Sequence, residues 1–405
     1  VGALAPAVSP RRPTILPPYF ALTSKENTVL RRPLWILATL PLWIAACGNE
    51  QTPASSTSSG VAQEEKVLNI YNWPDYIPEG MLAAFEKETG IKVNYDTFET
   101  NEALNAKLVA GKTGYDIVVP GAVFAKGQIE AGLLQPLNKQ AIPNLKNLDP
   151  AIMATLTKTD PDNRHLVPWA WGFTTVGINE TKVKAALGST PIPDNTWELV
   201  FNPTYTSKLK SCGIAFLDSP TEIMPVALHH MGKDAYSSNP SDYAAAADML
   251  AKVRGDIRLF SSTMIDDIAS GKACVAIGWS GDINIAAARA QENGSKDVIR
   301  ATLPSTGALI FFDNIAITQD AKHPQNAHRF IDFYLRAENA AAMANEMSYP
   351  TGNTAAMDSI DADIANNDTI FVKPDYMAKM IRPSSFSNEA RQALANAYNR
   401  FKSGS

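Results

Sequence analysis

The stretch Lys66–Phe98, KVLNIYNWPDYIPEGMLAAFEKETGIKVNYDTF, decides how the chain folds. KVLNIYNW is a β-branched and aromatic run that reads as a strand. Pro78 and Glu79 then open a helix with Met81, Leu82 and Phe85 on one face. Gly90 stops that helix where a left-handed cap favours glycine, and IKVNYDTF is the next strand. NEALNAKLVA, from Asn101, is a second short amphipathic helix ended by Gly111, and YDIVVPG reads as a buried parallel strand. Strands alternating with helices of this length form α/β units with right-handed crossovers. Ligands in such sheets bind beyond the carboxyl ends of strands. Trp73, Asp75 and Tyr76 fall there after the first strand, and Gly121 to Phe124 after the third. A core asks for the rings but not for a carboxylate between them. A cation asks for both.

The same rhythm recurs downstream. GIAFLDSPTEIM places Asp218 and Glu222 at the end of a strand and the start of a helix. ACVAIGWSGD ends a buried strand in Trp279 and Asp282. ALIFFDNIAI carries Phe311, Phe312 and Asp313, ahead of a helix around PQNAHRFIDFYLR. Any one of these pairs has a plain explanation, because a Trp at a strand end is usually core and an Asp after it often caps a helix. Three such pairs together with Glu222 point to a ligand cleft, provided the fold gathers them.

At 405 residues the chain is long for one core and suits two lobes. It is 45% hydrophobic and 19% charged with a formal net charge of −5, which is ordinary for a globular protein and argues against nucleic acid. PLWILATLPLWIAA, Pro33 to Ala46, follows Arg31 and Arg32 and leads to Cys47. A basic pair, a short apolar run and small residues mark an export signal, and the run is too short and too broken by proline to span a membrane. Ile44–Cys47 resembles a bacterial lipobox, which makes Cys47 the expected lipidation site; a plain signal with a chance cysteine is the alternative. Residues before Arg31 read as upstream translation, with a true start near Val29. The Ser/Thr-rich tract up to Glu65 reads as a flexible tether. Beyond Cys47 the cysteines are Cys212 and Cys274, and an oxidising compartment favours bridging them. Sequence leaves two buried thiols open as the alternative.

The blocks IYNWPDYI, FEKETGIKV, AGKTGYDIVVPGAVF, NLDPAI, KLKSCGIAFLDSPTE, FSSTMIDDIASGKACVAIGWSGD and GALIFFDNIAI resemble the polyamine-binding family of periplasmic solute receptors, particularly its putrescine-binding members. The resemblance runs from Glu65 to about Ser403. It implies a two-lobed, type II solute-binding fold, with two α/β lobes joined by crossing hinge strands. The expected organisation is 1–47 upstream residues and signal, 48–65 tether, 66–168 with 305–337 as lobe 1, and 169–304 with 338–405 as lobe 2. It implies a periplasmic receptor that is not an enzyme and hands its ligand to an inner-membrane ABC importer; with the lipobox-like cysteine, the expectation is a lipid-anchored monomer without cofactor or metal. Carried over residue by residue, the ligand site is Trp73, Asp75, Tyr76, Glu222, Ser261, Trp279, Asp282, Phe311, Asp313 and Tyr349. The Cys212–Cys274 disulfide carries over too.

A diamine suits such a layout. Each ammonium loses water on entering, which only carboxylates or several acceptors offset. Asp282, helped by Glu222, is expected at one end and Asp313 at the other, with Trp73, Trp279, Phe311 and Tyr349 walling the methylenes and Asp75 adding negative potential at the rim. The chain departs from the putrescine pattern at Pro74, Gly121 and Val123, where family members carry hydroxyl residues. The first-lobe side is therefore less polar, which keeps spermidine, cadaverine and agmatine open beside putrescine. Receptors of this fold for anions or iron want arginines or clustered Tyr, His and carboxylate; of five histidines, His229 and His230 sit on a helix away from the acids. An enzyme is the other rival, but GWSGD lacks the G-x-S-x-G spacing, and no P-loop, HExxH or dinucleotide fingerprint is present.

Overall fold

The computed structural model describes residues 64–404. The expected signal, Cys47 and nearly all of the tether lie outside the described residues. Nine strands form one sheet among the described residues, eight of them in a single path. They are β1 (Val67–Asn72), β2 (Lys92–Thr97), β3 (Ile117–Val118), β4 (Val167–Asn179), β5 (Ile214–Phe216), β6 (Leu259–Phe260), β7 (Val275–Trp279), β8 (Ile299–Ala301) and β9 (Leu309–Ile317). The order is β2-β1-β3-β9-β4-β7-β5-β6, with β8 also on β4. The expected parallel units are present at both ends: β1 pairs in parallel with β2 and β3, and β5 with β6 and β7.

Two long strands join these ends. β9 runs antiparallel to β4 from Val167↔Ile315 to Thr174↔Leu309. One end of β9 continues onto β3, and the far end of β4 continues onto β7. These are the crossing strands between the lobes. β4 is buried along almost its whole length, and its register shifts between Pro168 and Ala170, where proline has no N–H to give the ladder.

Local chemistry explains the boundaries. β1 alternates strictly, with Leu68, Ile70 and Asn72 inward. β2 is an outer strand, so KVNYDT keeps its polar residues exposed. The first helix is Met81–Thr89, three residues beyond Pro78, because Gly80 at φ 77° holds a left-handed turn that no helix continues through. Gly90, at φ 68°, closes it with its N–H on the Glu86 carbonyl. Helix Asn101–Ala110 takes Thr100 as its N-cap.

Two packing centres correspond to the lobes. Ile70, Phe85, Trp169, Phe330 and Tyr334 belong to the first, extended by Phe98, Leu104, Leu108 and Val118. Trp197, Phe216, Leu228, Val275 and Tyr398 belong to the second. Part of the segment 338–405, expected with lobe 2, packs on the first-lobe core. Met343 and Tyr349 join the first-lobe core, and Leu148 bridges Asn353. Helix Ala337–Met347 follows helix Pro324–Tyr334 too closely in sequence to leave that lobe, and only later does the chain reach the second, where helix Asn388–Ser403 packs through Leu394, Tyr398 and Phe401. The Cys212–Cys274 disulfide is present, with 5.5 Å between the Cα atoms, and ties the approaches to β5 and β7.

Candidate ligand-binding site

A cavity opens where the strands of both lobes end and where β9 crosses. Trp73, Asp75, Tyr76, Glu222, Trp279, Asp282, Phe311, Asp313 and Tyr349 all line it. Ser261 does not. Its hydroxyl is used locally, 2.7 Å from Asp267 Oδ2 and 2.9 Å from Thr263 Oγ1, while Ser262 and Thr263 reach the cavity. The expected small polar contact is thus shifted by one or two residues, because Ser261 still continues the pairing direction of β6 with its N–H on the Phe216 carbonyl.

Each acidic side chain is positioned by a neighbour of known sequence origin. Phe311 and Asp313 are two apart on β9 and so share a face. Asp313 accepts from the Tyr76 hydroxyl at 3.0 Å. Asp282 accepts from the Tyr349 hydroxyl at 2.6 Å, and its own N–H reaches that hydroxyl at 3.2 Å. The Tyr76 and Tyr349 rings meet edge to face at 4.9 Å. That seating depends on glycine: a Cβ on Gly281 would stand 2.3 Å from the Tyr349 ring, and one on Gly172 2.8 Å from Phe311. Glu222 accepts from the Thr174 hydroxyl, which β4 delivers. Trp73 donates through Nε1 to the Val119 carbonyl at 3.0 Å and meets Trp279 edge to face at 5.7 Å in the cavity wall.

Electrostatics set these carboxyls apart. Burial pushes Asp313 up to about 8 against the opposing Tyr76 hydrogen bond, and the Glu222 and Asp282 charges add to it. Burial likewise pushes Asp282 up to about 7, opposed by Tyr349, and Glu222 up to about 7, opposed by Thr174. Among the described residues none of the three forms an ion pair with Lys, Arg or His. The Glu222 charge bears on Asp313 ahead of Asp282, whereas Asp75 bears on Asp282. Thr174 holds Glu222 between the two ends, because β4 pairs there with β7 at Trp279 on one side and with β9 at Leu309 on the other.

Sequence reasoning missed Arg289. Its guanidinium bonds Asp75 at 3.2 Å and Asp266 at 2.7 Å, so the rim carboxylate already has a cationic partner from the second lobe. The signal was there: Arg289 follows Asp282 by two helical turns and shares its face. Tyr236 and Pro383 also line the cavity, and nothing local to their segments marks them. Among the described residues no group of His, Cys, Asp or Glu is disposed to hold a metal.

Residues 80–372 match the family model of the bacterial extracellular solute-binding proteins. The chain belongs to that family. This solute-binding protein is 43% identical to the putrescine-binding periplasmic protein SpuD of Pseudomonas aeruginosa, over 85% of this chain and 95% of that one. It is 42% identical to the putrescine-binding periplasmic protein PotF of Escherichia coli, over 85% and 93%. Among solved structures, a putative spermidine/putrescine ABC transporter protein from Listeria monocytogenes superposes with a TM-score of 0.74 at 31% identity, covering 84% of this chain and 99% of that one. The two-lobed fold and the reading as a receptor rather than an enzyme agree with this membership.

Proposed function

We propose that this solute-binding protein is an extracytoplasmic receptor that captures a small diamine, putrescine, for an ABC importer. The observation that carries the reading is the set of Asp282, Asp313 and Glu222 around an aromatic-walled cavity, each raised by burial and each without an ion-pair partner among the described residues. An ammonium is the complement such carboxylates lack. Tyr76 and Tyr349 each occupy one carboxylate oxygen and fix its direction, leaving the remaining lone pairs for a ligand N–H. Trp73, Trp279 and Phe311 wall the space between, where methylenes fit and where ring faces attract flanking charge. Site residues from both lobes give the ligand a reason to favour the closed state. Membrane anchoring through a lipid on Cys47 and a monomeric state belong to the same proposal, as do the periplasmic setting and putrescine binding for which the relatives are named.

One observation favours a longer ligand. Glu222 and Asp313 both line the cavity and the Glu222 charge bears on Asp313, so a third carboxylate is on offer, as spermidine or the guanidinium of agmatine would use. Calorimetry with putrescine, spermidine, cadaverine and agmatine ranks them. Asp282→Ala is expected to abolish putrescine binding in a protein that stays folded, and retained tight binding would remove Asp282 from the role.

A further inference from the structure

Helix Pro220–His230 of the second lobe starts without a cap of its own. Ser219 stands at the N-cap, yet its side chain makes no capping bond to the helix; the hydroxyl lies 3.3 Å from Thr221 Oγ1 instead. The group that meets this helix end comes from the other lobe. Glu102, in the first turn of helix Asn101–Ala110, accepts from the Thr221 hydroxyl at 2.7 Å and, more loosely, from the Thr221 N–H at 3.4 Å. Leu104 and Leu108 root the Glu102 helix in the first-lobe core, and Ile223 and Met224 root the other helix in the second. Thr221 and Glu222 line the cavity, and Glu102 stands behind them.

We propose that Glu102 is a latch: on closure its carboxylate caps helix Pro220–His230 from across the cleft, and this contact strengthens ligand retention without touching the ligand. Pro220 has no N–H and the Glu222 and Ile223 N–H groups reach the Ser219 carbonyl, so this end presents the Thr221 N–H and a partial positive charge, which favour a carboxylate there. The latch is also conditional on cargo. Its second oxygen is buried without a hydrogen-bond partner among the described residues, so the closed position leaves Glu102 poorly hydrated. Its charge also bears on Glu222, so closure brings two acids together. A cation beside Glu222 relieves that repulsion, and the latch then engages when the cavity is loaded. This step rests on the cationic-ligand reading above.

A double-mutant cycle tests it with putrescine as the probe. Glu102→Ala and Thr221→Val are each expected to weaken binding by about tenfold through faster release, with the double variant no weaker than either. Glu102→Gln keeps an acceptor and is expected to stay within about threefold of wild type. Ligand-free melting temperatures stay unchanged, and putrescine slows hydrogen exchange over residues 219–223 in wild type but not in Glu102→Ala. Additive losses, a matching drop in ligand-free stability, or equal exchange protection in Glu102→Ala would overturn the latch. Wild-type protein that binds no putrescine overturns the ligand reading alone; spermidine then replaces it as the probe, and the same outcomes decide the latch.

Discussion

Asp313 shows how a single side chain couples folding to binding. Its folded value, about 8, stands far above the ordinary aspartate value of 3.8, so between those limits the folded protein holds a proton that the unfolded chain releases. Stability from this group is full below pH 3.8 and is lost as pH rises through about 8; Asp282 and Glu222 act in the same sense up to about 7. The ligand-free melting temperature is therefore expected to fall between pH 5 and pH 8, while the shift produced by putrescine grows over that interval and binding releases protons in paired-buffer calorimetry. A putrescine shift independent of pH would count against these groups. Asp313→Asn keeps the acceptor for Tyr76 and removes the charge. It is expected to raise ligand-free melting and to weaken putrescine by at least about a hundredfold, the scale for losing one partner of a buried charge pair. Most of these residues were legible because an aromatic beside an acid at a strand end is a local signal. Ser261 misled because the signal had no register: three hydroxyl residues in a row cannot say which one turns inward.

At the scale of elements, the turn into helix Ser280–Glu292 carries much of the site. Gly281 leaves room for the Tyr349 ring, and Tyr349 in turn holds Asp282. Gly281→Ala is expected to destabilise by about 1–3 kcal/mol, as overpacking does, and to weaken ligand binding with it; urea unfolding and calorimetry on one preparation read both. Unchanged values would mean that the ring moves aside freely. The strand and helix identities were readable from period and punctuation, as β1 and helix Asn101–Ala110 show. The path of residues 338–353 was not, because apolar helices such as Ala337–Met347 fit either core equally well by pattern. Arg289 lay within reach of helical periodicity, but its acid partner Asp75 is distant in sequence, and only the closed fold brings them to 3.2 Å.

For the whole molecule, the disulfide and the crossing strands set the mechanical frame. Cys212 and Cys274 enclose a separation of 62 residues, all within the second lobe. Replacing both by serine is expected to lower stability by about 4 kcal/mol in the chain-entropy account, read by denaturant unfolding under oxidising conditions, with putrescine affinity little changed. A comparable loss of affinity would place the bridge in the binding mechanism. Small-angle scattering is expected to show a smaller radius of gyration with putrescine than without. The two-lobe plan was legible from length and from repeated strand–helix units, but which strands cross between lobes depends on long-range pairing that no local pattern encodes. Phe311 and Asp313 grow out of β9, one of the strands on which the lobes pivot. A grip built into its own axle needs no lever between cargo and joint, so torque applied to the halves falls directly on the captured molecule. Pulled apart by optical tweezers attached one to each lobe, the loaded protein should yield at a higher force than the empty one, in a single step.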